Sequence, residues 1–93
     1  MEIKYICTYY PQVLKYDIPR LSSVNSTKIK KAIEYKLQTN PFIFGLPLRG
    51  ILKAHWKLRV GNYRVIYKIA GNQVQIIAIG HRGNIYDMIE NRK

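Results

Sequence analysis

Acidic side chains are scarce. Glu2, Asp17, Glu34, Asp87 and Glu90 stand against 16 Lys and Arg, leaving a formal charge of +11. A compact chain with that excess repels itself, and a polyanion or an acidic protein partner relieves the strain. Cysteine is nearly absent as well. The single Cys7 excludes an internal disulfide framework, fits a reducing cytosol, and reads as a small apolar residue within a strand. No apolar run reaches the length of a membrane span and no signal-peptide pattern opens the chain, so a soluble, cytoplasmic protein is expected. The sequence also lacks a metal-ligand set, a pair of neighbouring carboxylates and a glycine-rich phosphate loop. No metal or cofactor is expected.

What is present suits a small folded domain. The chain has 93 residues, of which 47% are hydrophobic, enough for one core but not for a disordered basic tail. Residues 1–93 are read as a single domain. Eight tyrosines, Trp56 and two phenylalanines add large apolar area with polar edges.

Ile3 to Tyr9 is short, apolar and aromatic, and predicts a first strand. Pro11 suits the opening turn of a helix, because its missing N–H has no partner there anyway. Val13, Leu14 and Ile18 give that helix a narrow apolar side, and Pro19 ends or kinks it. Ser22 and Ser23 are caps for a second helix running to about Thr39. Val24, Ile29, Ala32, Ile33 and Leu37 form its apolar stripe, leaving Lys28, Lys30, Lys31 and Lys36 largely outside. Asn40-Pro41 stops it, and Phe42 to Gly50 reads as a loop tethered back to the sheet.

Strands are predicted at Ala54 to Val60, Tyr63 to Ala70 and Gln73 to Gly80, joined by Gly61-Asn62 and Gly71-Asn72 hairpin turns. On the first of these, Trp56, Leu58 and Val60 face one way, and His55, Lys57 and Arg59 the other. Val74 to Ile79 is almost wholly apolar and belongs centrally in the sheet. The order is βααβββ, an α+β fold with two N-terminal helices packed on a small, largely antiparallel sheet. Such a sheet displays His55, Lys57, Arg59, Arg64 and, beyond the last strand, Arg82 and Tyr86. A surface of that chemistry suits a nucleic-acid backbone.

The stretches LRG (Leu48 to Gly50), WKLRVGNYRVIYKI (Trp56 to Ile69) and IAIGHRGNIY (Ile77 to Tyr86) resemble the RelE/ParE superfamily of type II toxin–antitoxin toxins. The resemblance covers nearly the whole chain and implies the same βααβββ fold. The superfamily holds two activities. RelE-like members are endoribonucleases that cut mRNA in the ribosomal A site and so inhibit translation, whereas ParE-like members poison DNA gyrase. By motif position, Lys57, Arg64, Arg82 and Tyr86 fall where the RelE-type site has its catalytic residues, and the late Arg–Tyr pair favours the ribonuclease branch. The resemblance further implies a cognate antitoxin, a ribosome and mRNA as partners, and a toxin that is monomeric alone and hetero-oligomeric with its antitoxin. The sequence departs from the RelE pattern at His55, where that pattern has another lysine, and in a shorter Arg82–Tyr86 loop.

Metal-free RNA cleavage needs a base for the 2′-OH, cations for the crowded phosphate, and an acid for the departing 5′-oxygen. Arg64 suits the phosphate clamp, since its planar fork donates two hydrogen bonds. Arg82 suits a second clamp or a place beside the leaving oxygen. Tyr86 can stack on a splayed base, orient the 2′-OH or exchange a proton. For Lys57 to act as the base, Lys53, Arg59 and Arg64 must favour its neutral amine. A histidine ordinarily titrates near neutrality, so His55 or His81 is expected to share the acid–base work. Lys53, Arg59, Lys28, Lys31 and His81 are further candidates for RNA contact.

Plainer readings exist. Lys57 and Arg59 also suit the solvated side of an amphipathic strand, Arg64 an ion pair with an acid, and His55 a surface position. A gyrase poison without chemistry, or a module that binds RNA or antitoxin without cutting, accounts for the same composition.

Overall fold

The computed structural model describes residues 4–50 and 54–92. Five strands form one sheet: β1 (Ile6–Tyr9), β2 (Leu46–Pro47), β3 (Trp56–Val60), β4 (Tyr63–Ala70) and β5 (Gln73–His81), in the order β1-β5-β4-β3-β2. Only β1–β5 is parallel; the other three pairings are antiparallel. The expected α+β sheet is therefore present, and β5 is interior as its apolar run predicts. Ile3, the expected start of the first strand, lies outside the described residues.

Both hairpins form where expected, at Gly61-Asn62 and Gly71-Asn72. Gly61 and Gly71 each take φ 61, while neither asparagine has a positive φ, the pattern of a type II′ turn. The β4–β5 register slips between Ile66↔Ala78 and Tyr67↔Ile76, which makes Ile77 an additional residue on β5. This bulge lets neighbouring isoleucines and Ala78 serve opposite faces of a strand buried on both sides.

One face is covered by the N-terminal helices. After β1 the chain winds through a wide π turn, Val13–Asp17, and a tight 3-10 turn, Ile18–Arg20, where Pro19 ends the segment as expected. Helix α1 (Ser23–Ala32) begins with the Ser22 side chain accepting from Asn25 N at 3.1 Å and runs on into a second π turn, Ile33–Leu37. Ile29, Ile33 and Leu37 pack on Leu58, Val65, Tyr67 and Val74. The buried stripe runs every fourth residue, so it passes half-buried Asn25 and leaves Val24 62% exposed, contrary to the expected stripe. By the same spacing Val13 and Asp17 are buried and Leu14 is not.

Two further expectations are corrected. The segment after Asn40 is not a plain loop. Asn40 caps a short helix α2 (Pro41–Phe44) by accepting from Ile43 N at 3.2 Å, and Leu46–Pro47 then adds a fifth strand on β3. Propensity read from proline and glycine missed both, because Pro41 is favourable at a helix's first position. The chain also ends in an additional helix, α3 (Ile85–Glu90), on the opposite face of the sheet. Its Ile85 and Ile89 pack with Leu48, Ile66 and Ala78 as a second core. Gly80 allows that approach, since a Cβ there would stand 2.7 Å from Met88 Sδ and 3.1 Å from Ile85 Cδ1.

Candidate functional site

The face that carries α3 also carries the cations of β3 and β4. Lys57 sits on β3 opposite Ile66, and Ile66 is the residue on which Ile85 of α3 packs. Docking of α3 brings Tyr86 over the sheet, so that Lys57 Nζ donates to Tyr86 Oη in a long contact of 3.5 Å. Residues 29 positions apart meet here only because of the tertiary fold.

Arg59 and Arg64 are directly opposite one another in the β3–β4 register. Like charges facing across a strand pair destabilise it, and among the described residues no carboxylate pairs with Lys57, Arg59, Arg64 or Arg82. The arrangement suits an anion that bridges them. Arg64 does not pair with an acid. Its Nη1 instead donates to Gly61 O at 3.1 Å and Tyr63 O at 2.9 Å, which holds the guanidinium against the hairpin tip. Arg82 lies at the same tip, because its backbone N donates to Asn62 O at 2.8 Å. The fold thus gathers Lys57 with Tyr86 and Arg59 with Arg64, and it sets the Arg82 backbone at the hairpin tip that Arg64 holds.

The remaining candidates fall elsewhere. His55 is half-buried and lines a cavity of about 300 Å³ with Tyr10, Lys68, Ile89 and Arg92, beside the last turn of α3. His81 lies on the side of the sheet covered by α1, where its ring meets Tyr63 edge-on at 5.8 Å and its Nδ1 accepts from Gly83 N at 3.2 Å. It shares a cavity there with Lys28, whereas exposed Lys31 borders a separate hollow with Tyr35. Lys53 lies outside the described residues. Among those described, no three His, Cys, Asp or Glu side chains stand where they could hold a metal ion, and no helix is long and apolar enough to cross a membrane.

Several residues are structural. Trp56 is half-buried and stacks on Tyr67 at 6.5 Å, and Tyr67 is fully buried with its hydroxyl donating to Pro41 O at 2.7 Å. Burial pushes the Tyr67 phenol well up from its ordinary value. Cys7 sits half-buried in β1, and burial raises its thiol to about 11. Sequence reading missed Asp17, whose buried carboxylate accepts from Ile79 N at 2.9 Å and from Arg92. A lone Asp in an apolar turn was the available signal, since a buried carboxylate demands partners.

No curated protein matches the chain. Solved structures share its fold: a chain of the RelBE2 toxin-antitoxin complex from Mycobacterium tuberculosis superposes with a TM-score of 0.79 at 24% identity, covering 88% of this chain and 95% of that one. The isolated E. coli RelE toxin gives 0.68 at 22% identity over 95% and 97% of the two chains. The RelB-RelE complex from Methanococcus jannaschii gives 0.68 at 23% over 86% and 95%. The family model for the ParE toxin of the type II toxin-antitoxin system parDE matches residues 14–86. With most of its length inside that match, and with this fold, the chain belongs to the ParE toxin family of type II toxin–antitoxin systems, within the RelE/ParE superfamily.

Proposed function

We propose that this toxin is a ribosome-dependent endoribonuclease that cuts mRNA in the A site and so stalls translation. The observation that carries the reading is the Lys57–Tyr86 contact beside the facing pair Arg59–Arg64. An amine and a phenol in contact beside cations that pair with no described carboxylate support the reading, since cleavage through the 2′-OH needs proton transfer and charge stabilisation. In the reaction a base at the Lys57–Tyr86 couple removes the 2′-OH proton. The 2′-oxygen then bonds to phosphorus while the bond to the 5′-oxygen breaks. A proton reaches that leaving oxygen, giving a 2′,3′-cyclic phosphate and a 5′-OH. Arg64 and Arg59 hold the non-bridging oxygens as the phosphate becomes dianionic, and Arg82 stands at the hairpin tip for the leaving side. Ribosome dependence is what the resemblance to the RelE-like branch implies, and the late Arg–Tyr pair supports that branch over the gyrase-poison one.

A cognate antitoxin is the natural partner, since the M. tuberculosis and M. jannaschii relatives are antitoxin complexes. An acidic or amphipathic segment wrapped on the basic face would block the cations directly.

The test is primer extension on an mRNA in a purified translation system, comparing wild type with Arg82→Ala. Ribosome-dependent cuts within A-site codons that vanish in the variant support the reading. No cuts from folded, antitoxin-free protein reject it. The match to the ParE family model favours one second reading, a gyrase poison without chemistry. That reading expects loss of gyrase supercoiling with translation intact.

A further inference from the structure

On the side of the sheet covered by α1 a cavity of about 430 Å³ opens between that helix and the tip of the β3–β4 hairpin. Its floor is apolar, from Ile29 and Val60, and its walls carry Asn25, Lys28, Asn62 and the Tyr63–His81 ring pair. Among the described residues no carboxylate lines it. We propose that this cavity holds one unstacked nucleotide of single-stranded RNA, on a strand that crosses the hairpin tip from the cationic face.

Three observations converge on that occupant. The first is composition. Edge-on aromatic rings over an aliphatic floor offer a stacking surface, two asparagine amides carry donors and acceptors for a base edge, and Lys28 supplies a phosphate contact. The second is His81. Gly83 N donates to its Nδ1 at 3.2 Å, which leaves Nε2 to carry the ring proton and act as a donor. The third is continuity. Gly61 and Asn62 wall the cavity, and their carbonyls accept from Arg64 Nη1 and from the Arg82 amide. The cavity and the cationic face are therefore separated by a single two-residue turn. An acidic peptide would use Lys28 but would leave the ring pair and the amides without a role.

The proposal takes its polymer from the ribonuclease reading, and its test is separate. The 15N-labelled full chain is titrated with a single-stranded oligoribonucleotide 2′-O-methylated throughout, which cannot be cut. Saturable shifts at the amides of Asn25, Lys28, Asn62 and Tyr63 are expected. Lys28→Glu, at an exposed position, is expected to weaken binding about tenfold, the worth of one hydrogen bond to a charged group. Lys15→Glu makes the same charge change away from the cavity and is expected to stay within about twofold, the screened effect of a distant charge. Equal losses from the two variants, shifts confined to the outer face of β3–β4, or a response only to an acidic peptide would each overturn the proposal. A silent cavity with A-site cleavage intact removes the pocket alone. Saturable filling of the cavity without cleavage confirms the pocket and removes the ribonuclease reading.

Discussion

Arg92 grips the buried carboxylate of Asp17 across the open edge of β5, at 2.7 Å from Nη1 to Oδ2 and 2.6 Å from Nη2 to Oδ1. β1 accompanies β5 only as far as Ile76, whose carbonyl takes Tyr10 N. Beyond that point the backbone groups of β5 need other partners. Asp17 accepts from Ile79 N and Arg92 Nη1 donates to Ile77 O at 3.0 Å. The ion pair thus stands in for a missing strand and ties the first helical turn to the C-terminal end. The hydrogen bond to Asp17 raises the Arg92 guanidinium above its ordinary value, against the opposing effect of burial.

Breaking this pair from either side should give unequal losses. Arg92→Leu strands a carboxylate whose side chain is 0% exposed and is expected to cost about 3 kcal/mol or more. Asp17→Asn keeps an acceptor for Ile79 N, and the Arg92 head can turn toward solvent, so its loss should be smaller. Urea midpoints at unchanged slope measure both. The reverse order would show that leaving the Arg92 guanidinium without its carboxylate costs more than leaving the carboxylate without its cation.

Gly80→Ala should disturb α3 through the Met88 and Ile85 contacts. Overpacking of this kind costs about 1–3 kcal/mol. Adding Met88→Ala should recover part of the loss, because the shortest clash is with Met88 Sδ. A double-mutant cycle by urea denaturation checks it, and on the ribonuclease reading cleavage should follow α3 because Tyr86 rides on it.

Removing one member of the facing cations should improve stability and impair RNA binding together. Arg59→Ser is expected to add roughly 0.5 kcal/mol of stability by relieving the opposition to Arg64. In RNA binding it should reduce the salt slope by about 0.7, the value for one lost contact to a single strand. Unchanged stability would mean that solvent already screens the pair.

Tyr86→Phe keeps the ring and deletes the hydroxyl that lies 3.5 Å from Lys57 Nζ. If that hydroxyl handles a proton, single-turnover cleavage on ribosomes should fall on the order of 10²-fold or more. A Phe variant as active as wild type, beside an inactive Tyr86→Ala, would reduce the residue to a stacking platform.

The half-buried Cys7 thiol carries a pH signature. Burial raises it from its ordinary 9.0 to about 11. The unfolded chain therefore loses its proton first, so the contribution is whole below pH 9 and is lost as pH rises through about 11. Stability should decline across that window, and Cys7→Ala should flatten the decline, read by denaturant titration at successive pH values. Equal slopes in both proteins would assign the decline to the tyrosines.

Strand positions, both hairpins and the buried β5 were legible because period-2 alternation and Gly-Asn turns are local signals. The second helix was legible from its serine cap, but the stripe advances by fours through Ile29, Ile33 and Leu37, so Val24 and Leu14 were placed wrongly. Helix α2, strand β2 and helix α3 were missed. Each is short, and each exists through what it docks against rather than through propensity.

The sequence by itself determined the basic charge, the alternation that puts Lys57, Arg59 and Arg64 on one side of a sheet, and the motifs that mark the superfamily. Those properties depend on residue type and near-neighbour spacing. Only the tertiary structure decided that Tyr86 lies on Lys57, that His55 and His81 stand on different sides, and that Asp17 pairs with Arg92 while Arg64 turns to the carbonyls of its own hairpin. Those depend on where α3 packs and where β1 stops, which long-range burial and edge hydrogen bonding settle and no local pattern encodes.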